Sequence, residues 1–305
     1  MHNLKDISLV LPANCLSVIT GISGSGKSSL LLQEIANTQL KDNQVIHWKK
    51  AFKDLVVITQ KRPTRNKRSI IATYLDIFAD IRKLFAEIAK QEGFSFLASD
   101  FSFNSGKGRC PNCQGLGIVE SNQLFFENVA LTCPVCHGSR YKDEILEITI
   151  NGYSIADVLE LSIKEAINFF ANNHLNHHSL SLLTKINLDY ISLGQGTDSL
   201  SGGEMQRLRL ASVISKQKGD KHLFILDEPT TGMHKIDVFH FMALIQKLIE
   251  DGSTFFFIEH NLDVIKQADY VVELGPSGGN DGGKIVYAGE IEPFTQLNTK
   301  TSIYL

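Results

Sequence analysis

The chain has 305 residues, 43% of them hydrophobic and 21% charged. These are values of a globular protein with room for two domains, or for one large domain with an insertion. The formal net charge of −3 excludes a general basic coat for nucleic acid but leaves room for a local basic patch. No apolar run approaches the roughly 20 residues that cross a bilayer. The longest candidate, Ile7 to Ile19, is interrupted by Pro12 and Asn14 and lacks the charged head and cleavage site of a signal peptide. The expectation is a cytoplasmic protein with no membrane partner.

In chain order, residues 15–20 (CLSVIT) predict a short buried strand, GISGSGKS at 21–28 a glycine loop, and SLLLQEIA a helix. Residues 55–59 (LVVIT) predict a second buried strand, followed by Gln60. Residues 61–68 read KRPTRNKR, the local basic patch. Apolar residues then recur at helical spacing from Ile71 to Ile88. Residues 101–140 are rich in Gly, Cys and Asn without a long period, and predict a small metal-stapled module. Residues 155–171 are helical in pattern, and HLNHH at 174–178 reads as a polar loop between helices.

From Leu223 the buried runs return. LFILDE (223–228), a helix from about Val238 to Ile249, TFFFIEH (254–260), a helix from about Leu262 to Gln267, and YVVEL (270–274) alternate strand and helix. That alternation predicts a largely parallel α/β sheet. GPSGGNDGG at 275–283 reads as a turn between strands.

Three motifs carry chemistry. Gly21-Ile22-Ser23-Gly24-Ser25-Gly26-Lys27-Ser28 matches G-x-x-x-x-G-K-[ST] in full. Such a loop lets backbone N–H groups converge on phosphate at a positive helix end, with Ser29 on the first turn behind it. Lys27 would neutralise the β- and γ-phosphates, and the Ser28 hydroxyl would bind Mg²⁺. The strand LFILDE ends in two carboxylates; Asp227 would hold Mg²⁺ and Glu228 would polarise an attacking water. Leu200-Ser201-Gly202-Gly203-Glu204 opens a helix, with Ser201 and Glu204 spaced as a capping box. Its paired glycines leave N–H groups open to a phosphate.

Four of the five cysteines form two C-x-x-C pairs, Cys110/Cys113 and Cys133/Cys136, with 19 residues between the pairs. Four thiolates at this spacing suit a closed, tetrahedral structural Zn²⁺ site. Cys15 stands alone in a predicted core strand and reads as a small buried hydrophobe.

The glycine loop, LSGGE and the strand ending in Asp-Glu, in that order, resemble the ABC ATPase superfamily. By that resemblance Gln60 takes the Q-loop position and His260 the switch position beside the γ-phosphate. Ser201, Gly202 and Gly203 would meet nucleotide held by a second protomer, and Thr230, Thr231 and Gly232 would form the dimer-facing loop. The cysteine module between Gln60 and LSGGE narrows the match. With FSFNSGKGRCPNCQGLG, LDYISLGQGTDSLSGGE, ILDEPTTGMH and IEHNLDVIKQADYVVELGP, it resembles the C-terminal ATPase half of the UvrA family of excinuclease ABC components.

The resemblance implies an ABC-type α/β ATPase core interrupted by a helical signature region with a Cys₄ zinc module. The core would comprise residues 1–60 and 191–305, and the interruption 61–190, with the zinc module at about 105–140. It implies ATP, Mg²⁺ and Zn²⁺ as cofactors, an ATP-dependent homodimer, and a role in nucleotide excision repair. Arg62, Arg65, Lys67 and Arg68 would contact DNA phosphate, or else form a solvated loop; the same choice applies to Lys107, Arg109 and Arg140. Only one ATPase half is present, so docking of the repair helicase is not expected. A drug-resistance ATPase without a repair role and the ATP-binding component of a transporter are the alternatives.

Overall fold

The computed structural model describes residues 4–43, 45–59, 68–121, 129–171, 177–217 and 221–305. Its strands are β1 (Leu16–Gly21), β2 (Leu55–Ile58), β3 (Ile118–Ser121), β4 (Val129–Thr132), β5 (Thr149–Ile150), β6 (Tyr153–Ser154), β7 (Leu223–Asp227), β8 (Thr254–Ile258), β9 (Tyr270–Gly275) and β10 (Lys284–Glu290). Its α-helices are α1 (Ile71–Tyr74), α2 (Phe78–Gln91), α3 (Asp143–Leu146), α4 (Ile155–Glu160), α5 (Ile163–Phe169), α6 (His177–Lys185), α7 (Gly202–Lys216), α8 (Lys235–Glu250), α9 (Leu262–Ile265) and α10 (Ile291–Thr295). The segment Ser29–Ile35, after the glycine loop, winds as a π-helix.

The chain divides into two compact units, Met1–Pro63 with Gly202–Leu305, and Thr64–Ser201. The first is built on a six-stranded sheet of order β10-β9-β1-β8-β7-β2. All neighbours are parallel except β10, which returns antiparallel along β9. Both faces of the sheet are covered, so its inner strands read as continuous apolar runs. Ile19, Ile225, Ile258 and Val272 point to one side, where Leu30, Leu31 and Ile35 of the π-helical segment pack. On the alternate positions Phe224 stacks on Phe255 at 4.7 Å, and Phe257 lies 6.0 Å from Phe241 of α8. The parallel order places the C-terminal ends of β9, β1, β8 and β7 side by side, the edge at which open α/β sheets bind ligands.

Among the described residues, the second unit combines helices with the hairpins β3–β4 and β5–β6, and residues 92–117 and 133–142 form neither. Here the expected helices are subdivided. The apolar series from Ile71 to Ile88 is two helices, α1 and α2. Asp76 between them adopts a left-handed φ of 61°. Ile77 N–H bonds the Ala72 carbonyl and Asp76 N–H that of Thr73, the paired bonds of a Schellman turn. Residues 155–171 likewise form α4 and α5, each with its own capping box. Ser154 and Asp157 exchange bonds at the first, Ser162 and Glu165 at the second. The polar loop expected at 174–178 is helical from His177 onward; residues 174–176 lie outside the described residues. The glycine run at 275–283 does join two strands, β9 and β10, as expected.

Candidate functional site

Four loops leave the C-terminal ends of β1, β7, β8 and β9. The first is the glycine loop. At Gly21, φ is 124°, and a Cβ would stand 2.1 Å from the Leu274 carbonyl oxygen of β9, so only glycine fits. Ser23, Gly24 and Ser28 are exposed, whereas Ser25 and Lys27 are buried and Gly26 and Ser29 are partly so. The Lys27 ammonium donates to the carbonyls of Gly21 and Ile22, each at 2.8 Å. Burial lowers its pKa, and the charges of Glu228 and Asp227 push the other way. Lys27 therefore sits within the field of both carboxylates at the end of β7.

Burial, then the charge of Glu228, raises the Asp227 carboxyl above its ordinary value, with Lys27 opposing. Glu228 has a left-handed φ of 47°, a conformation that costs a non-glycine residue energy and clusters at functional sites. It is held there by its N–H on the Ile258 carbonyl (2.9 Å) and by Gln206 Nε2 on its own carbonyl (3.1 Å). The Thr231 hydroxyl donates to Glu228 Oε2 at 3.1 Å. From the β8 loop, His260 Nε2 lies 3.9 Å from Glu228 Oε1. Partial burial and the Lys27 charge lower the His260 pKa against the pull of Glu228 and Glu259, which favours the neutral imidazole at pH 7.

Of the sequence-predicted residues, Lys27, Asp227, Glu228 and His260 are thus brought together. Gln60 lies outside the described residues. Ser201 and Gly202 are exposed, and a Cβ at Gly202 would meet nothing within 4 Å. Gly203 differs from the expectation of an open glycine. A Cβ there would stand 2.8 Å from the Gly232 carbonyl oxygen, so this glycine serves close packing against the loop after β7.

Two features escaped the sequence reading. Glu259 is buried and accepts bonds from both the β7 and β8 loops. The 275–283 loop is more than a turn, because it backs the glycine loop. Gly279 N–H bonds the Gly24 carbonyl at 3.2 Å and Gly283 N–H that of Ser25 at 3.1 Å. The doubled glycines were a signal for such close backbone approach; Glu259, beside His260, gave none.

In the second unit the Sγ atoms of Cys110, Cys113, Cys133 and Cys136 all lie within 4.8 Å of one another. The pairs Cys110–Cys133 and Cys113–Cys136 stand at 3.9 and 3.6 Å. Tetrahedral Zn–S bonds of about 2.3 Å give sulfur–sulfur edges of about 3.8 Å, so the cluster fits zinc. After each second cysteine the chain turns through two left-handed residues, Gln114-Gly115 and His137-Gly138. Asn112 Nδ2 and Gly117 N–H donate to Cys133 and Cys113 sulfur, each at 3.2 Å, which supports thiolate ligands. Burial raises the Cys133 thiol, but Asn112 and backbone N–H donors outweigh it and lower it, while burial raises the Cys136 thiol.

Arg62, Arg65 and Lys67 lie outside the described residues. Arg68 donates to the Gln114 carbonyl at 3.1 Å. Lys107, Arg109 and Lys142 line a shallow hollow beside the cysteine cluster. Arg140 instead lies over the Phe103 ring at 5.1 Å and bonds the Gly194 carbonyl, a packing role.

A glycine loop closing on a lysine, flanked by a strand ending in Asp-Glu and another ending in Glu-His on a mostly parallel sheet, defines an ABC-type nucleotide-binding fold. A family model described as ABC transporter matches residues 4–231, and the chain belongs to that family. Among its relatives it is similar to UvrABC system protein A. It is 43% identical to that of Borreliella burgdorferi over 317 residues, covering 100% of this chain and 33% of the relative. It is 41% identical to that of Bacillus subtilis over 309 residues, covering 97% and 32%. The crystal structure of UvrA2 from Deinococcus radiodurans matches with a TM-score of 0.89 at 38% identity, covering 100% of this chain and 38% of that one. The chain spans about a third of the length of the curated relatives it matches.

Proposed function

We propose that this chain binds and hydrolyses ATP with Mg²⁺ and, as the family resemblance implies, serves nucleotide excision repair. The observation that carries the reading is the meeting of Lys27, Asp227, Glu228 and His260 at one edge of the sheet. The N–H groups of Gly21, Ser23, Gly24, Ser25 and Gly26 and the first turn at Ser29 would cradle phosphate, and Lys27 would exchange its carbonyl partners for phosphate oxygens. Ser28 and Asp227 would hold Mg²⁺, which supplies charge neutralisation to the triphosphate. Glu228 would orient and deprotonate the attacking water, and neutral His260 would contact the γ-phosphate. Gln60 remains assigned by resemblance. Ser201, Gly202 and Gly203 would complete the site of a second protomer. Residues 61–190 are read as an insertion in the ATPase core, with a module at about 105–140 that the four cysteines would staple with Zn²⁺.

Glu228→Gln tests the core of this reading. ATP binding should persist while kcat falls by about 10²–10⁴, the usual worth of general-base help. Hydrolysis by the variant at the wild-type rate would remove Glu228 from the mechanism. DNA contact is tested by salt. Each phosphate neutralised contributes about −0.9 to the log–log slope of affinity on duplex DNA. Replacing Arg62, Arg65 and Arg68 with Ala should flatten the slope; an unchanged slope marks a solvated loop.

A further inference from the structure

Glu259 lies between the end of β8 and His260 and is 2% exposed. Its two oxygens serve two different loops. Oε1 accepts from the Thr230 N–H at 3.0 Å and the Thr230 hydroxyl at 2.5 Å. Oε2 accepts from the N–H groups of His260 at 2.8 Å and Asn261 at 3.0 Å. Asn261 Nδ2 reaches the Thr230 hydroxyl oxygen at 3.4 Å and closes the ring. The next residue on each side touches the candidate site. Thr231 donates to Glu228, and His260 faces Glu228 through Nε2.

We propose that Glu259 is a positioning residue that clamps the loop after β7 to the loop after β8, fixing Glu228 and His260 relative to each other. The inference rests on the ATPase reading above. A carboxylate is the side chain that fits, because it is acceptor-only on both oxygens. An amide in its place would turn an NH₂ group either against the N–H groups of His260 and Asn261 or against the N–H of Thr230. A buried donor left without an acceptor loses its bond and gains no water. The consequence falls on geometry rather than on phosphate binding, since Glu259 has no bond to the glycine loop among the described residues.

The experiment compares the wild-type chain, Glu259→Gln, Thr230→Val and the double variant in steady-state ATPase assays with Mg²⁺, with thermal melting as the check on folding. Wild-type turnover is scored first; its absence overturns the ATPase reading and this proposal with it. Misplacement of reacting groups by about an ångström costs about 10²-fold, so Glu259→Gln should lower kcat by about 10–100-fold and leave KM for ATP near wild type. Thr230→Val keeps the backbone bond and should lose less. Because both changes break one clamp, the double variant should fall no further than Glu259→Gln alone. Wild-type kcat in folded Glu259→Gln, a rise in KM alone, or additive losses in the double variant would each overturn the clamp. If Glu259→Gln does not fold, Thr230→Val decides: a lower kcat at unchanged KM supports the proposal, and wild-type kinetics overturn it.

Discussion

Glu228 holds a left-handed backbone that a glycine would adopt more cheaply, one residue after a carboxyl that burial pushes toward its neutral form. Both features subtract from stability at neutral pH, the pattern of a site kept at some cost to the fold. A carboxyl whose folded pKa is raised contributes stability below its unfolded value and loses it as pH rises through the folded value. At pH 7 the wild type therefore carries the penalty and Asp227→Asn does not. The variant should melt at a higher temperature than wild type at pH 7 while losing Mg²⁺-dependent turnover. The gap should close below about pH 4, near the ordinary carboxyl value. Equal melting temperatures at pH 7 would show that Lys27 already compensates Asp227 fully.

The elements differ in how far they announced themselves. The inner strands did so because burial on two faces writes itself as unbroken runs such as LFILD and TFFFI. The glycine loop did so because its φ angles and close approaches admit few other residues. The breaks within 71–91 and 155–169 did not. Asp76 turns the chain without a glycine or proline, and Ile77 and Phe78 stay buried across the turn, so the apolar rhythm continues through it. Ser162-x-x-Glu165 was a visible start signal inside a run that already looked helical. The hub at Glu259 was illegible because the Thr230 partners that make it a link between loops lie some thirty residues away. The cysteine module was legible from spacing alone, and it gives a test at this scale. The four thiols are buried together with little apolar material, Leu116 and Val119, packed against them, so the metal should supply the folding energy of that region. Cys110→Ser or Cys136→Ser should bring rapid hydrogen exchange near residues 105–141 and leave nucleotide affinity intact. Protein purified without chelator should carry about one zinc per chain; carefully prepared protein without zinc would refute the assignment.

For the whole molecule, the proposed reading has one strong demand. Lys27 and Ser201 would each serve a different composite site, so a single chain needs a partner. The simplest partner is a second copy related by a two-fold axis. Lys27→Ala and Ser201→Arg should each be inactive alone. Mixed together, one dimer in the mixture gathers both defects into one site and leaves the other wholly wild type, so ATPase activity should recover in part. No recovery, with mixed dimers demonstrated, would count against independent sites shared in this way.

The order of the sheet also sets a timetable. β1 carries the glycine loop, yet Leu16 pairs with Phe255 and Ser17 with Tyr270, more than two hundred residues further along. A ribosome adding about 5–20 residues per second needs on the order of ten to fifty seconds to span that gap. Throughout that interval β1 has neither neighbour, and by its end the stretch that becomes the cysteine-stapled unit has been made. The nascent chain must therefore keep one of its most apolar segments unpaired, and the loop made early is the one finished late. Ribosome-bound chains halted before residue 254 should accordingly hold zinc but not nucleotide.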